Sequence, residues 1–309
     1  HKKVNLVGVF GKASEGKKLS SILPNLKNLK NLEITDYRKF DFKTVDLIFS
    51  CLPHGEFQQS IFPQLDPKLS IIDLSGDFRI KDFKKYELFY DIKHNSKEKK
   101  NIFTYGLTEI YKNDISNSKY VANPGCYPTS ILLPLLPLVK EGILKKSHII
   151  IDSKSGMSGA GKKPKNKKLF AQLENNFFSY NIEKHKHIAE IDQELTKYNS
   201  DMTFTFIPHI LPVFSGIQSN IYIDKAGINA EETLNFLEDF YKNEPFIKFF
   251  SKNTPKLSDV QNTNDTVIKV FSDYSNKKII IISCLDNLIK GAAGQAIQNM
   301  NLMFGFDET

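Results

Sequence analysis

The sequence predicts an α/β protein built in two parts, and three observations predict it. Between residues 3 and 122, short apolar runs alternate with short helical stretches, the pattern of parallel βαβ units. Beyond residue 145 the texture changes to longer strand-like runs with few helices between them, as in an antiparallel sheet. The chain has 309 residues, enough for two domains at roughly 150 residues each.

The elements follow in order. Residues 3–10 read as a buried strand entering a turn bounded by Gly8 and Gly11. Residues 19–29 read as a short helix interrupted at Pro24, and residues 31–35 as a second strand. Residues 46–51 form a third strand ending at Pro53-His54-Gly55, and residues 70–74 a fourth. The charged and aromatic stretch 81–100 is expected to be an exposed excursion. Residues 119–122 are a further strand, followed by Asn123-Pro124-Gly125-Cys126-Tyr127-Pro128-Thr129 and an apolar helix over 129–139. The second part offers strands at 148–153, 203–208, 216–223, 266–272 and 277–285. It also offers a helix at 229–241 and a closing apolar-faced helix at 291–303. A lysine cluster at 162–168 is expected in a loop.

Composition narrows the function classes. The chain is 40% hydrophobic and 25% charged, which excludes collagen-like, disulfide-scaffold and wholly disordered readings. No apolar run approaches the roughly 18 residues of a membrane span, so no membrane partner is expected. No signal peptide is read in the opening HKKVNLVGVF, and His1 in place of Met suggests a trimmed start. Three cysteines form no disulfide framework and fit a reducing cytoplasm. The net charge is +7, yet of the 42 basic residues only Arg38 and Arg79 are arginines. Sequence-specific DNA readers lean on Arg for bidentate contacts, so no nucleic-acid partner is expected. The spread lysines read as solvated surface and as a chain-wide preference for Lys over Arg.

Cys126 is the strongest chemical candidate. It stands where a strand ends and a helix begins, and a helix N-terminus offers unpaired N–H groups and partial positive charge. Both favour the nucleophilic thiolate, and the same amides can hold an oxyanion. Cys51 and Cys284 read as inert. In Lys184-His185-Lys186-His187-Ile188-Ala189-Glu190-Ile191, alternation puts both imidazoles on one side if the segment is extended. Either could serve as base toward a thiol and acid toward the product oxygen; the alternative is two surface histidines. His-x-His also resembles a metal-ligand pair, but with a single cysteine expected nearby the set is incomplete and no metal is expected. The run from Ser155 and Gly156 through Ser158 and Gly159 to Lys162 can cradle an anion, or be a linker. Gly8, Gly11 and Ser14 outline an incomplete dinucleotide fingerprint, with Ser14 at the third glycine position. Arg38, after the second strand, could meet a ribose 2′-phosphate or be a surface charge.

Together these segments resemble the N-acetyl-γ-glutamyl-phosphate reductase family. The resemblance is carried by Pro53-His54-Gly55, Ile72-Asp73-Leu74-Ser75-Gly76-Asp77-Phe78-Arg79 and Tyr105-Gly106-Leu107. It continues through the Asn123–Thr129 motif, Ser155 to Lys162, the His185–Ile191 motif and Pro208-His209. It ends with Lys290-Gly291-Ala292-Ala293-Gly294-Gln295-Ala296-Ile297-Gln298-Asn299-Met300-Asn301. The motifs occur in the family's order over nearly the whole chain.

The resemblance implies a Rossmann-type NADP(H) domain, residues 1–127 with 290–309, and an α+β catalytic domain, 128–289, like that of glyceraldehyde-3-phosphate dehydrogenase. It implies a small acyl-phosphate substrate and a homodimer or homotetramer. Cys126 would attack the acyl phosphate, and the resulting thioester would accept hydride. His187, ahead of His185, would be the acid/base, with Glu190 orienting it. Gly8, Gly11, Ser14, Arg38, Ser75, Ser158, Gly159, Gln295 and Asn299 would bind cofactor. Asn123, Ser155, Gly156, Lys162 and His209 would bind substrate and its phosphate.

The chain departs from the family pattern at several places. Lys162 and Lys186 replace arginines, Ile188-Ala189 replaces Thr-Pro, and Lys12 and Ser14 stand where Tyr and Gly are common. Ser215 stands in place of an arginine whose loss would weaken anion binding or reshape the pocket. Aspartate-semialdehyde dehydrogenase shares the chemistry but should not show the His-x-His-x-x-Glu-Ile run. Two other readings stay open: a carrier-linked aminoadipyl-phosphate reductase of lysine biosynthesis, and a non-catalytic nucleotide-binding relative.

Overall fold

The computed structural model describes residues 1–26, 29, 31–96, 102–145, 147–161, 171–225 and 227–309. The chain divides into two compact units: His1–Ile48 with Gln64–Ser70, and Phe49–Pro63 with Ile71–Thr309. The lysine cluster at 162–168, Lys162 included, lies outside the described residues.

In the first unit, β1 (Val9–Phe10) pairs in parallel with β2 (Ile34–Thr35), Val9 opposite Ile34. The strand expected over 3–10 is thus cut to two residues. Its ladder partner is no longer than that, and Val4, Leu6 and Val7 stay 41–46% exposed. The turn after β1 is a single 3-10 turn at Lys12–Ser14 rather than a helix. The helix expected over 19–29 is the one-turn α1 (Leu19–Ile22). Leu23 precedes Pro24, which excludes it from helical geometry, and its φ of −126° and ψ of 77° end the turn. Phe10 and Phe42 both pack edge to face on Phe40 and tilted on each other, at centroid separations of 5.0 to 5.7 Å.

A four-stranded sheet, in order β3-β4-β6-β5, is formed by β3 (Leu47–Ser50), β4 (Ser70–Asp73), β5 (Thr104–Tyr105) and β6 (Tyr120–Ala122). The unit boundary falls within β3 and within β4. The pairs β4–β6 and β5–β6 are parallel, as the βαβ reading requires. The stretch read as an exposed excursion instead contains α2 (Phe83–Tyr90). Asp82 caps it by accepting from the Lys84 and Lys85 amides. Tyr86 and Tyr90, one turn apart, stack at 4.6 Å in a buried cluster with Ile80 and Ala189. The charge pattern marked the solvent face and hid the buried one. Then α3 (Thr108–Ser116) follows β5.

The second unit is dominated by a seven-stranded sheet in order β11-β12-β13-β10-β7-β9-β8. Its strands are β7 (His148–Gly156), β8 (Phe178–Ser179), β9 (Thr203–Leu211), β10 (Ile217–Asp224), β11 (Ile247–Phe249), β12 (Thr266–Ser272) and β13 (Lys278–Leu285). It is mixed, not antiparallel as expected: β7–β9 and β11–β12 are parallel. A parallel pair needs a crossover, and between β7 and β9 the chain passes through α5 (Lys186–Thr196).

The core lies between this sheet and α4 (Cys126–Lys140), whose residues 127–139 are all buried. A buried serine relay joins them: Ser130 Oγ, Ser219 Oγ and Ser153 Oγ are linked by two hydrogen bonds of 2.7 Å. Pro134 and Pro137 interrupt the helix's own bonding. Pro137 cannot donate to the Leu133 carbonyl, and the Tyr241 hydroxyl takes that acceptor at 2.5 Å. The chain continues through α6 (Ala230–Phe240), held by an Asn229/Glu232 capping box, and ends in a π-turn at Ile289–Ala293 leading into α7 (Gly294–Met303).

Candidate active site

The site forms where β6 hands the chain to α4. Gly125 is the N-cap, with extended backbone, and Cys126 is the first helical residue. Pro128 has no N–H, and the Thr129 amide returns to the Gly125 carbonyl at 3.0 Å. The amides of Cys126 and Tyr127 remain to face the sulfur, and both pull its pKa down. Burial outweighs them and pushes the thiol up to about 11; Arg79 opposes that shift and Glu190 adds to it. The thiolate expected from the helix N-terminus alone is therefore a neutral thiol at rest, which needs a base.

The two histidines separate by role. His185 is the N-cap of α5, its Nδ1 accepting the His187 amide at 3.2 Å. His187 lies in the first turn, with its ring against Gly125. A methyl group at Gly125 would overlap Nε2 and approach Cδ2 to 2.7 Å. Burial holds His187 well below its ordinary value, helped by His185, Arg79, His54 and Lys186. Burial and then Lys186 bring His185 down to about 4. Both rings are neutral near pH 7. His187 Nδ1 has no hydrogen-bond partner among the described residues.

Glu190, expected to orient His187, points elsewhere. Its Oε1 accepts from the Gly125 amide and from the Tyr105 hydroxyl, each at 2.7 Å. Its Oε2 faces Arg79 at 3.5 Å. Arg79 Nε donates to the Asn123 carbonyl at 2.6 Å and its NH2 to the Leu74 carbonyl at 3.1 Å. Arg79 and Tyr105 stand in motifs that carry the family resemblance, yet the sequence reading assigned neither a role. The available signal was that Arg79 is one of two arginines kept in a lysine-rich chain.

Other expected residues fall nearby or inside the protein. Ser155 is buried at the end of β7, its hydroxyl donating to the Gly156 carbonyl at 3.1 Å. Gly156 backs onto Phe214 and Ser215, where a Cβ would come within 2.7 Å of the Phe214 carbonyl oxygen. Ser158 accepts from Asn287 at 3.0 Å, and Gly159 lies against Ser155 Oγ. Ser215 donates to Asp286 at 3.3 Å. Ser75 sits in the turn after β4, its amide bonded to Asp73 and its hydroxyl accepting from the Asp77 amide. Asn123, expected at the substrate, is buried and tied to the Ala292 carbonyl and to Asn299. Asn299, expected at the cofactor, is buried between Gly106, Thr108 and Asn123. Gln295 is buried and donates to Thr129 at 3.1 Å. These amides hold α7 to the cysteine loop. In the turn before α7, Gly291 packs so that a Cβ would come 2.6 Å from Cys126 Cβ. His209 offers the site only its carbonyl, which accepts from Tyr127 at 2.8 Å. Its ring turns away to Asp152, 3.2 Å distant, because alternation along β9 puts it on the sheet face opposite α4.

In the first unit, Gly8, Gly11 and Ser14 bracket the 3-10 turn, Ser14 donating to the Gly11 carbonyl at 3.0 Å. Arg38 forms a two-pronged pair with Asp36 just after β2, and holds that carboxyl down to about 2. An acid and a guanidinium side by side at a strand end fit a nucleotide ribose that carries hydroxyls or a phosphate. Among the described residues no three His, Cys, Asp or Glu side chains converge to hold a metal ion, and no helix is long and apolar enough to cross a membrane.

Comparison with known proteins agrees with this fold. Residues 1–118 match the family model "Semialdehyde dehydrogenase, NAD binding domain", and residues 126–287 match "Semialdehyde dehydrogenase, dimerisation domain". Aspartate semialdehyde dehydrogenase II of Vibrio cholerae has the same fold, with a TM-score of 0.74 over 98% of this chain and 90% of that one at 18% identity. The Candida albicans enzyme, solved with NADP, scores 0.67 over 98% and 92% at 13% identity. Fold and domain matches define a semialdehyde-dehydrogenase-type oxidoreductase with a nicotinamide-dinucleotide-binding domain.

Closer relatives narrow the class. The chain is 41% identical to the probable chloroplastic N-acetyl-gamma-glutamyl-phosphate reductase of Arabidopsis thaliana, over 100% of this chain and 77% of that one. It is 40% identical to the reductases of Caldicellulosiruptor saccharolyticus and Methanocaldococcus jannaschii, each over 100% of this chain and 90% of theirs. The chain belongs to the N-acetyl-gamma-glutamyl-phosphate reductase family.

Proposed function

We propose that this chain reduces N-acetyl-L-glutamyl 5-phosphate to N-acetyl-L-glutamate 5-semialdehyde and phosphate in arginine biosynthesis, using NADPH. The observation that carries the reading is the placement of a neutral His187 ring against Gly125, beside a protonated Cys126 at a helix N-terminus. His187 takes the thiol proton as the sulfur attacks the acyl carbon. The amides of Cys126 and Tyr127 stabilise the charge that develops on sulfur and on the carbonyl oxygen. Phosphate leaves with the proton that His187 holds, and a thioester remains on Cys126. NADPH, when bound, supplies the hydride that this thioester accepts. The carbonyl then reforms, the C–S bond breaks to release the semialdehyde, and His187 relays a proton from water back to the sulfur. A thioester is a far better hydride acceptor than a carboxylate, which is the reason for the covalent detour.

The proposal extends to finer points. Cys126, His187 and the Ser155–Gly159 turn form the reacting centre, and Arg38 supports NADP over NAD. The sheet face opposite α4 supports self-association into a homodimer or homotetramer. It presents Ile150, 39% exposed, next to Tyr222 in register, and belongs to the segment matched by the dimerisation-domain model. Bacterial and archaeal relatives and three free cysteines support a cytoplasmic setting. The lysine cluster at 162–168, which would suit an acidic carrier protein, lies outside the described residues.

The test runs the reaction backwards, because the acyl phosphate is labile. NADP⁺ reduction is followed with N-acetylglutamate semialdehyde and phosphate for the native chain and Cys126→Ser. Phosphate-dependent turnover that disappears in the variant is expected. A folded native chain with no turnover on NADP⁺ or NAD⁺ overturns the substrate assignment.

A further inference from the structure

We propose that Arg79 and Tyr105 are positioning residues for the nucleophile: they lock Glu190 against the Gly125 amide and so fix the loop that presents Cys126. The inference rests on Cys126 being the reacting thiol, as argued above.

The loop Asn123-Pro124-Gly125 is gripped at both ends. Arg79 holds the Asn123 carbonyl at 2.6 Å, and Glu190 holds the Gly125 amide at 2.7 Å. Pro124 between them has a fixed φ and no N–H, so few degrees of freedom remain. Glu190 cannot do this unaided. A fully buried carboxylate is costly unless paired and hydrogen-bonded. Tyr105 shares Oε1 at 2.7 Å and Arg79 faces Oε2 at 3.5 Å, and all three side chains are at least nine-tenths buried. Only a guanidinium meets the geometry, because one planar fork reaches the Asn123 carbonyl, the Leu74 carbonyl and Glu190 together. A lysine has one nitrogen for three diverging acceptors. This accounts for an arginine at residue 79 in a chain that uses lysine for 40 of its 42 basic residues.

A purely structural ion pair would change only stability. A positioning clamp also changes the thiol, because Arg79 and Glu190 act on Cys126 with opposite sign. The other groups acting on the sulfur are the Cys126 and Tyr127 amides and the Tyr127 and Tyr180 hydroxyls, with His187 against the adjoining Gly125.

Four variants test it: Arg79→Lys, Arg79→Gln, Glu190→Gln and Tyr105→Phe. Each is checked by thermal melting, by kcat and KM in both directions, and by the iodoacetamide labelling rate of Cys126 at pH 9, read by peptide mapping. Arg79→Lys and Tyr105→Phe keep the charge balance, and should lose kcat roughly tenfold or more with KM for the nucleotide little changed. Arg79→Gln should label more slowly than the native chain, and Glu190→Gln faster even as turnover falls. Folded Arg79→Lys and Tyr105→Phe with native kcat, or Arg79→Gln and Glu190→Gln with native labelling rates, overturn the proposal. Labelling needs no substrate, so failure of the substrate assignment would leave this test intact.

Discussion

The imidazole of His187 lies flat enough against Gly125 that no side chain can be added there without overlapping its Nε2. The φ of Gly125 is −72°, an ordinary value for any residue, so the glycine is required for space and not for backbone freedom.

Gly125→Ala therefore separates sterics from strain. The added methyl must push His187 off the cysteine loop or shift the start of α4. A displacement of about 1 Å at a reacting centre costs on the order of 100-fold in rate. We expect kcat to fall by about that factor, with nucleotide binding retained. Native kcat in Gly125→Ala would show that the contact is not used.

The two histidines predict opposite phenotypes. His187→Ala should abolish turnover and leave the melting temperature near that of the native chain. His185→Ala removes a helix cap and should cost about 1 kcal/mol of stability, which His185→Asn should restore because Asn also caps. If His185→Asn instead loses turnover as completely as His187→Ala, the division of roles is wrong.

Residue type and order made much of this site legible. Cys126 after Pro-Gly, the His-x-His-x-x-Glu run and the closing glycine-rich segment are brought together in the structure. What the sequence did not disclose was direction. Glu190 is three residues from His187 on α5, a spacing that suggests partnership, yet it faces Gly125 and Tyr105. The resemblance implies Asn299 and Gln295 at the cofactor, but α7 turns both inward, onto Gly106, Thr108, Asn123 and Thr129. Reading Asp82 as a helix cap, and Tyr86 and Tyr90 as a one-turn pair, would have placed α2. Their charged neighbours obscured it. The mixed sheet was missed because strand pattern alone carries no direction, which is set by the crossover through α5.

The resting thiol and base make a pH prediction. Burial disfavours the charged form of each, so the thiol titrates high, near 11, and His187 low. The base stays deprotonated well below pH 6.5, and turnover should show no acid limb between pH 7.5 and 6.5. Labelling of Cys126 by iodoacetamide without substrate should still be rising at pH 9 to 10. A labelling plateau by pH 8 would mean that the thiolate is already formed at rest.

Asp73 predicts a stability difference. It is buried, one oxygen accepts the Ser75 amide, and the other has no partner among the described residues. Burial first, and then Asp77, raise it from 3.8 to about 6. A carboxyl raised on folding binds its proton more tightly in the native state. It costs nothing below pH ~4, costs progressively more as pH rises through about 6, and reaches its full penalty above that. About two pKa units at about 1.4 kcal/mol each give about 3 kcal/mol as the largest penalty. Asp73→Asn should thus melt higher than the native chain at pH 8 by more than it does at pH 5. A gap independent of pH would show that Asp73 does not titrate in this range.

Arg38 tests the nucleotide preference. Its guanidinium grips Asp36 through Nε at 2.8 Å and NH2 at 2.5 Å, so a ribose 2′-phosphate must compete with that carboxylate. With a ribose seated there, the acid would suit a hydroxyl and the guanidinium a 2′-phosphate, so each variant should move the two nucleotides differently. Arg38→Ala should raise KM for NADPH and leave KM for NADH nearly unchanged. Asp36→Ala should lower KM for NADPH, because it frees the guanidinium, and raise KM for NADH. Both KM values are read from initial rates with each nucleotide at saturating second substrate. Equal effects of Arg38→Ala on the two nucleotides would remove Arg38 from the 2′-phosphate and leave it as a partner of Asp36 alone.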